Sequence, residues 1–175
     1  MTVYRYDTPT NILHERLTVT AQPSVFLAGP TVRGNQPYLT SWRFEAIEEF
    51  KKNGFDGILV VPEFPDKTES DKGKRWIPEW EHTGLRLSTV IMFWVPRTRE
   101  LIGLTTNHEI GYWMARDRNK IVYGRPDDAY RIEYNDLMFA IDCKERNSRM
   151  RPIHTSLDAT VQATIGYVGW LKSIG

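Results

Sequence analysis

Four short runs in this chain are apolar at nearly every position instead of at every second one: Ser24-Val25-Phe26-Leu27-Ala28, Ile58-Leu59-Val60-Val61, Thr89 to Val95, and Lys120-Ile121-Val122-Tyr123. A strand with one wet face alternates in polarity, whereas a strand covered on both faces does not. Each run is closed by a residue that ends a ladder, Gly29-Pro30, Pro62, Pro96 and Gly124 in turn. The stretches between them carry helical spacing. From Thr40 to Asn53, Trp42, Ala46, Ile47 and Phe50 share one face, Glu45, Glu48 and Glu49 lie opposite, and Asn53-Gly54 supplies a stop. Trp76 to Leu87 and Asn107 to Arg118 read as two further helices. Strands alternating with helices imply right-handed crossovers, so the expected fold is a single-domain α/β protein, flavodoxin- or Rossmann-like, with a parallel sheet and helices on both faces.

Two more helices complete the reading, one capped by Asp127 or Asp128 and running to about residue 140, the other from Leu157 to Lys172 behind a Thr155/Asp158 capping box. Residues 1–22 are polar, lack periodicity and are bounded by prolines (Pro9, Pro23), and are expected to form an arm that frays or docks on another surface. Residues 23–175 then form one domain, because a chain of 175 residues is too short for two catalytic cores. The charged, breaker-rich stretch 63–75 and the stretch 147–152 read as loops.

Charge and composition narrow the function. Twenty-three Lys and Arg against 22 Asp and Glu leave a net charge of +1, which supplies no drive toward nucleic acid or an anionic membrane. A single cysteine, Cys143, and four scattered histidines offer no metal-ligand spacing, so neither metal nor cofactor is expected. No apolar run approaches the roughly 20 residues that span a bilayer, and the first ten residues lack the pattern of a secretory leader, so a cytoplasmic protein acting on a small molecule is expected.

In an open parallel sheet ligands bind beyond the C-terminal strand ends, which here are residues 29–34, 62–64, 96–109 and 124–128. The loop Gly29-Pro30-Thr31-Val32-Arg33-Gly34 offers backbone N–H groups, a hydroxyl and an arginine suited to a sugar or phosphate, and equally fits an ordinary Gly-Pro turn. In Asn107-His108-Glu109-Ile110-Gly111-Tyr112, Asn107 is placed to cap a helix and Glu109 to lie in its first turn. The helix dipole there favours an ionised carboxylate. Such a group is a candidate nucleophile, and also a stock helix-stabilising feature. His108 is a second acid or a solvent-facing neighbour. Trp80, Trp94 and Trp113 can either wall a pocket or fill a core, and Arg97, Arg99 and Arg125 can bind phosphate or be solvated.

Phe26-Leu27-Ala28-Gly29-Pro30, Trp42-Arg43, Trp80-Glu81 ahead of Val90-Ile91-Met92-Phe93-Trp94, then Gly103 to Glu109-Ile110-Gly111-Tyr112 and Lys120-Ile121-Val122-Tyr123, together resemble the nucleoside 2-deoxyribosyltransferase family and the related nucleotide N-glycosidases over about residues 24–128. The resemblance implies a flavodoxin-like sheet and cleavage of the bond between a nucleobase and C1′ of its sugar. It makes Glu109 the nucleophile and Glu81 the acid that assists the base. Gly29, Pro30, Thr31, Arg33, Gly34, Trp80, Gly103 and Asn107 are then the substrate contacts. It also sets Phe26 where relatives carry a tyrosine touching the nucleophile. Gly103 stands six residues before Glu109, where transferases carry an acid and nucleotide hydrolases a serine. The expected partners are a (deoxy)nucleoside or its 5′-monophosphate and further copies of the chain, which meet through residues 1–22 or the final helix with Tyr167 and Trp170. The alternatives are a non-catalytic module of the same fold that sequesters a nucleotide, and a hydrolase of a ribosyl-nicotinamide dinucleotide.

Overall fold

The computed structural model describes residues 1–32, 39–65, 77–145 and 152–174. In chain order they form β1 (Thr2–Tyr4), α1 (Thr10–Val19), β2 (Ser24–Ala28), α2 (Trp42–Lys52), β3 (Ile58–Val60), α3 (Pro78–Leu87), β4 (Val90–Trp94), α4 (Leu104–Asp117), a 3-10 turn at Arg118–Lys120, β5 (Ile121–Gly124), α5 (Glu133–Glu145) and α6 (Leu157–Ile174). The sheet is parallel throughout, in the order β1-β3-β2-β4-β5. The four apolar runs are its four inner and C-terminal strands, and β2, β3, β4 and β5 are buried at every position.

Alternate residues of each strand feed two cores. Phe26, Ala28, Ile58, Val60, Ile91, Phe93 and Tyr123 pack with Leu13, Trp80, Ile110, Trp113 and Phe139, so α1, α3, α4 and α5 cover one face. Val25, Leu27, Leu59, Val61, Met92 and Trp94 pack with Trp42, Ile47, Phe50, Leu157 and Val161, so α2 and α6 cover the other. Complete burial of side chains on both faces is why the strands carry no alternation. From β2 the chain steps outward to β3 and then returns across β2 to β4. The sheet's direction therefore reverses between β2 and β4, and the ligand crevice of such a fold opens at that reversal.

Four sequence expectations are corrected. The sheet has five strands, because the segment expected as an arm supplies β1: Thr2, Val3 and Tyr4 lie in register with Ile58, Leu59 and Val60. The helix α4 begins at Leu104 behind Gly103, whose φ of 61° and ψ of 56° are left-handed, so Asn107 is no cap and Glu109 lies in the second turn. Neither Asp127 nor Asp128 caps α5, which starts at Glu133. Asp127 instead pairs with Arg125 at 3.2 Å. Ser156, one residue after the expected Thr155, receives the Ala159 N–H at 3.4 Å ahead of α6 and donates its own hydroxyl to Asp158 at 2.5 Å. Among the described residues no helix is long and apolar enough to cross a membrane.

Candidate active site

Two glycines let the loops of the crevice meet. Gly29 has φ 150°, and a Cβ there would come within 2.1 Å of the Trp94 carbonyl oxygen. Gly103 is left-handed, and a Cβ on it would press on Pro30 at 2.7 Å. The loop after β2 and the start of α4 are thus in direct contact, which brings Gly29, Pro30 and Gly103 to one place. Arg33 and Gly34 lie outside the described residues.

Arg43, on the first turn of α2, holds this loop from beneath. Its side chain is 1% exposed. Nε donates to Leu27 O at 2.9 Å, Nη2 to Gly29 O at 2.8 Å, and Nη1 to Thr31 Oγ1 at 3.2 Å and to Glu63 Oε1 at 2.8 Å. Trp42 Nε1 adds a bond to Pro30 O at 3.0 Å. Glu63, equally buried, also accepts from Ser41 Oγ at 2.7 and 2.8 Å on its two oxygens. A buried guanidinium with all three nitrogens bonded and a carboxylate among its partners is a fixed scaffold for the C-terminal ends of β2 and β3.

Glu81 and Glu109 face the same corner from α3 and α4. Glu109 is partly buried, and its carboxylate makes no hydrogen bond or ion pair with any described residue. Burial first, and the charge of Glu81 second, push its pKa up to about 7 against the opposing pull of Arg43. The sequence expectation of a dipole-stabilised anion is therefore reversed, because Glu109 lies past the first helical turn and beside a second acid. Glu81 accepts a hydrogen bond from the Tyr6 phenol. Tyr6 follows β1, where its N–H donates to Glu63 O at 3.2 Å, and its ring packs on Phe64 and Trp80 at centroid distances of 5.3 and 5.0 Å. Burial, then Glu81, and to a smaller extent Glu109, raise the phenol's pKa, so it stays a donor.

Trp80 is fully buried, and its indole N–H donates to Thr8 O at 3.0 Å, so the ring stiffens the corner from inside the core and is not open to a base. Trp94 and Trp113 are likewise buried. Phe26 lies under α3, its ring against Gly84. Asn107 accepts from Asn135 Nδ2 at 2.8 Å and from Arg97, which ties α4 to α5, and His108 is exposed.

The arginines gather at the ends of β4 and β5, apart from the two glutamates. A cleft of about 390 Å³ there is lined by Pro96, Arg97, Thr98, Arg99, Asp128 and Tyr130, among others. Arg97 is buried, which lowers its pKa, and Nη1 donates to the carbonyl of Arg131, itself left-handed at φ 49°. Arg125 is taken by Asp136 at 2.8 and 3.0 Å. Among the described residues no three His, Cys, Asp or Glu side chains gather as a metal-ligand set.

Tyr6 and Glu63 were not singled out in sequence, and Arg43 entered only within the Trp42-Arg43 element of the family resemblance. Arg43 had a signal: it shares the helical stripe of Ile47 and Phe50, where a charge must find a buried partner. Tyr6 had none, since its place depends on the pairing of β1 with β3.

Fold and corner together define a flavodoxin-like α/β protein whose crevice carries a carboxylate pair. The sequence model of the family described as nucleoside 2-deoxyribosyltransferase like matches residues 22–127, and the chain belongs to that family. No curated protein matches it. The matched stretch holds Glu81, Glu109, Arg43 and both crevice glycines, while Tyr6 lies outside it.

Proposed function

We propose that the protein cleaves or exchanges the N-glycosidic bond of a (deoxy)nucleoside or its 5′-monophosphate, with Glu109 as nucleophile. The observation that carries this reading is the carboxylate pair itself, in a chain of this family: two acids from different helices share one partly buried corner, and Glu109 has no hydrogen-bond or ion-pair partner among the described residues. Departure of a base builds positive charge at C1′ and O4′ of the sugar. An ionised carboxylate beneath the ring stabilises that charge more than it stabilises the neutral ground state. The C1′–N bond breaks with its electron pair going to the base, the Glu109 oxygen bonds C1′, and the base takes up a proton from Glu81, which recovers one from the water or second base that attacks next. Attack by water or by a second base then releases the sugar from Glu109 with retained configuration.

Glu81 faces the leaving base in this reading, as its hydrogen-bond partner. Gly29, Pro30, Thr31, Gly103 and Asn107 border the sugar side, Trp80 backs the corner without touching ligand, and Arg33 and Gly34 are carried as substrate contacts on the sequence alone. The same reading expects a homo-oligomer, supported by the exposed row Tyr134, Leu137, Met138 and Ile141 on α5. A monomer by light scattering at micromolar concentration overturns that part.

The test is chromatography of the protein with a panel of nucleosides and 5′-monophosphates, each with and without a second free base, beside Glu109→Ala. Base release without an acceptor, lost in the variant, defines a hydrolase. Exchange only with an acceptor defines a transferase. Binding without turnover across the panel overturns the reading in favour of a sequestering module.

A further inference from the structure

The segment before residue 22 contributes a side chain to the carboxylate pair, and nothing in the family match assigns it a part. Its placement is held at three levels. Parallel pairing of β1 with β3 carries the chain to the same sheet edge as Glu63, and the Val61 N–H donates to Tyr4 O at 2.9 Å. Trp80, one residue before Glu81, donates to Thr8 O at 3.0 Å. Between these anchors the Tyr6 ring is wedged edge-on against Trp80, which leaves its hydroxyl one direction to point, toward Glu81 Oε1. The phenol is thus presented by its own backbone and ring contacts, not by the carboxylate it meets.

We propose that Tyr6 is a positioning residue for the pair: by donating its O–H to Glu81 it holds that carboxylate at the corner it shares with Glu109. This rests on the proposed reaction only in calling the pair catalytic. Among the described residues the charged and titratable groups that interact with Glu109 are Glu81 on α3, Tyr6 after β1 and Arg43 on α2, and of these Arg43 opposes protonation. Without the Tyr6 hydroxyl, Glu81 is held less firmly beside Glu109, and a like charge farther away raises the proton affinity of Glu109 less.

Tyr6→Phe keeps the ring contacts with Phe64 and Trp80 and removes only the hydroxyl. Carbon-13 spectra of the glutamate carboxyls, with Glu109 assigned from Glu109→Gln, follow its titration with no substrate present. The expected result is a fall of the Glu109 midpoint by roughly half a unit or more in Tyr6→Phe. The same substitution made on top of Glu81→Gln is expected to change nothing further. An unmoved midpoint in a folded Tyr6→Phe protein overturns the proposal, as does an equal shift in the Glu81→Gln background. Should Tyr6→Phe not fold, the ring contacts do not suffice to present the residue, and the proposal falls with them. Because the titration needs no turnover, it succeeds or fails separately from the nucleoside panel.

Discussion

Glu63 and Glu109 are two acids at the C-terminal edge of one sheet, and the protein treats them in opposite ways. Glu63 is 8% exposed and fully answered, by the Arg43 guanidinium and the Ser41 hydroxyl on its two oxygens. Glu109 has no such partner among the described residues, and the nearest acid, Glu81, carries the same charge. The cost of burying a carboxylate is offset within the protein at the first site and left standing at the second. An unanswered acid in a crevice is suited to a ligand that develops positive charge, whereas an answered one is scaffold.

The largest expected effect comes from removing the unanswered acid. Glu109→Gln is expected to lower kcat about 1000-fold or more, read in the chromatographic assay, while leaving the melting temperature at pH 8 unchanged or higher. A loss within tenfold breaks the comparison, since Glu109 is then not the reacting group. Removing the partner of the answered acid should do the reverse. Arg43→Met leaves Glu63 buried without its counter-charge and frees the Leu27 and Gly29 carbonyls, at a cost of about 3–5 kcal/mol by urea unfolding. A cost below about 1 kcal/mol would put the pair among weak surface contacts.

Next in size is the pH dependence. Glu109 has a folded-state pKa raised to about 7, above its unfolded value, so between roughly pH 4.5 and 7 the folded state holds a proton that the unfolded state has released. The contribution of this group to stability therefore falls as pH rises through that window and is flat above it. The total loss is on the order of 2–3 kcal/mol. Unfolding curves of the wild type and of Glu109→Gln across this range should converge at low pH and separate toward pH 7 and above, the variant being the steadier. Turnover should move the other way, with kcat/KM rising through pH 7 as the nucleophile ionises. Glu63→Gln should lower stability at neutral pH and should not remove the slope assigned to Glu109.

How far this contrast was legible in sequence follows from the same physics. The four unalternating runs announced β2 to β5 because burial on both faces removes polar positions altogether. β1 escaped because an edge strand of three residues, Thr2–Tyr4, with Thr2 exposed and the other two half-covered, carries no pattern. Glu109 was visible through its family context, yet its charge state was not, since Gly103 starts α4 earlier than any capping signature suggests. A left-handed glycine that packs on Pro30 is a tertiary fact. Arg33 and Gly34 stay at the level of expectation. Glu63 and Tyr6 were invisible for a common reason: each acquires its role from a partner on another element, Arg43 in one case and Glu81 in the other.

The smallest predicted effect sharpens the comparison most, because it changes the neighbour and leaves both acids in place. In Glu81→Gln the side chain keeps its length and an acceptor for the Tyr6 hydroxyl, but the like charge beside Glu109 is gone. Burial is the larger cause of the raised Glu109 pKa and is untouched, so the midpoint should fall from about 7 without returning to an ordinary glutamate value. A shift of roughly one unit is expected in the Glu109 carboxyl titration. A return all the way to an ordinary value would mean that repulsion, and not desolvation, sets the proton affinity of the pair. No movement at all would mean that Glu81 does not face Glu109, and the two acids would then be as separate in function as Glu63 and Glu109 are in structure.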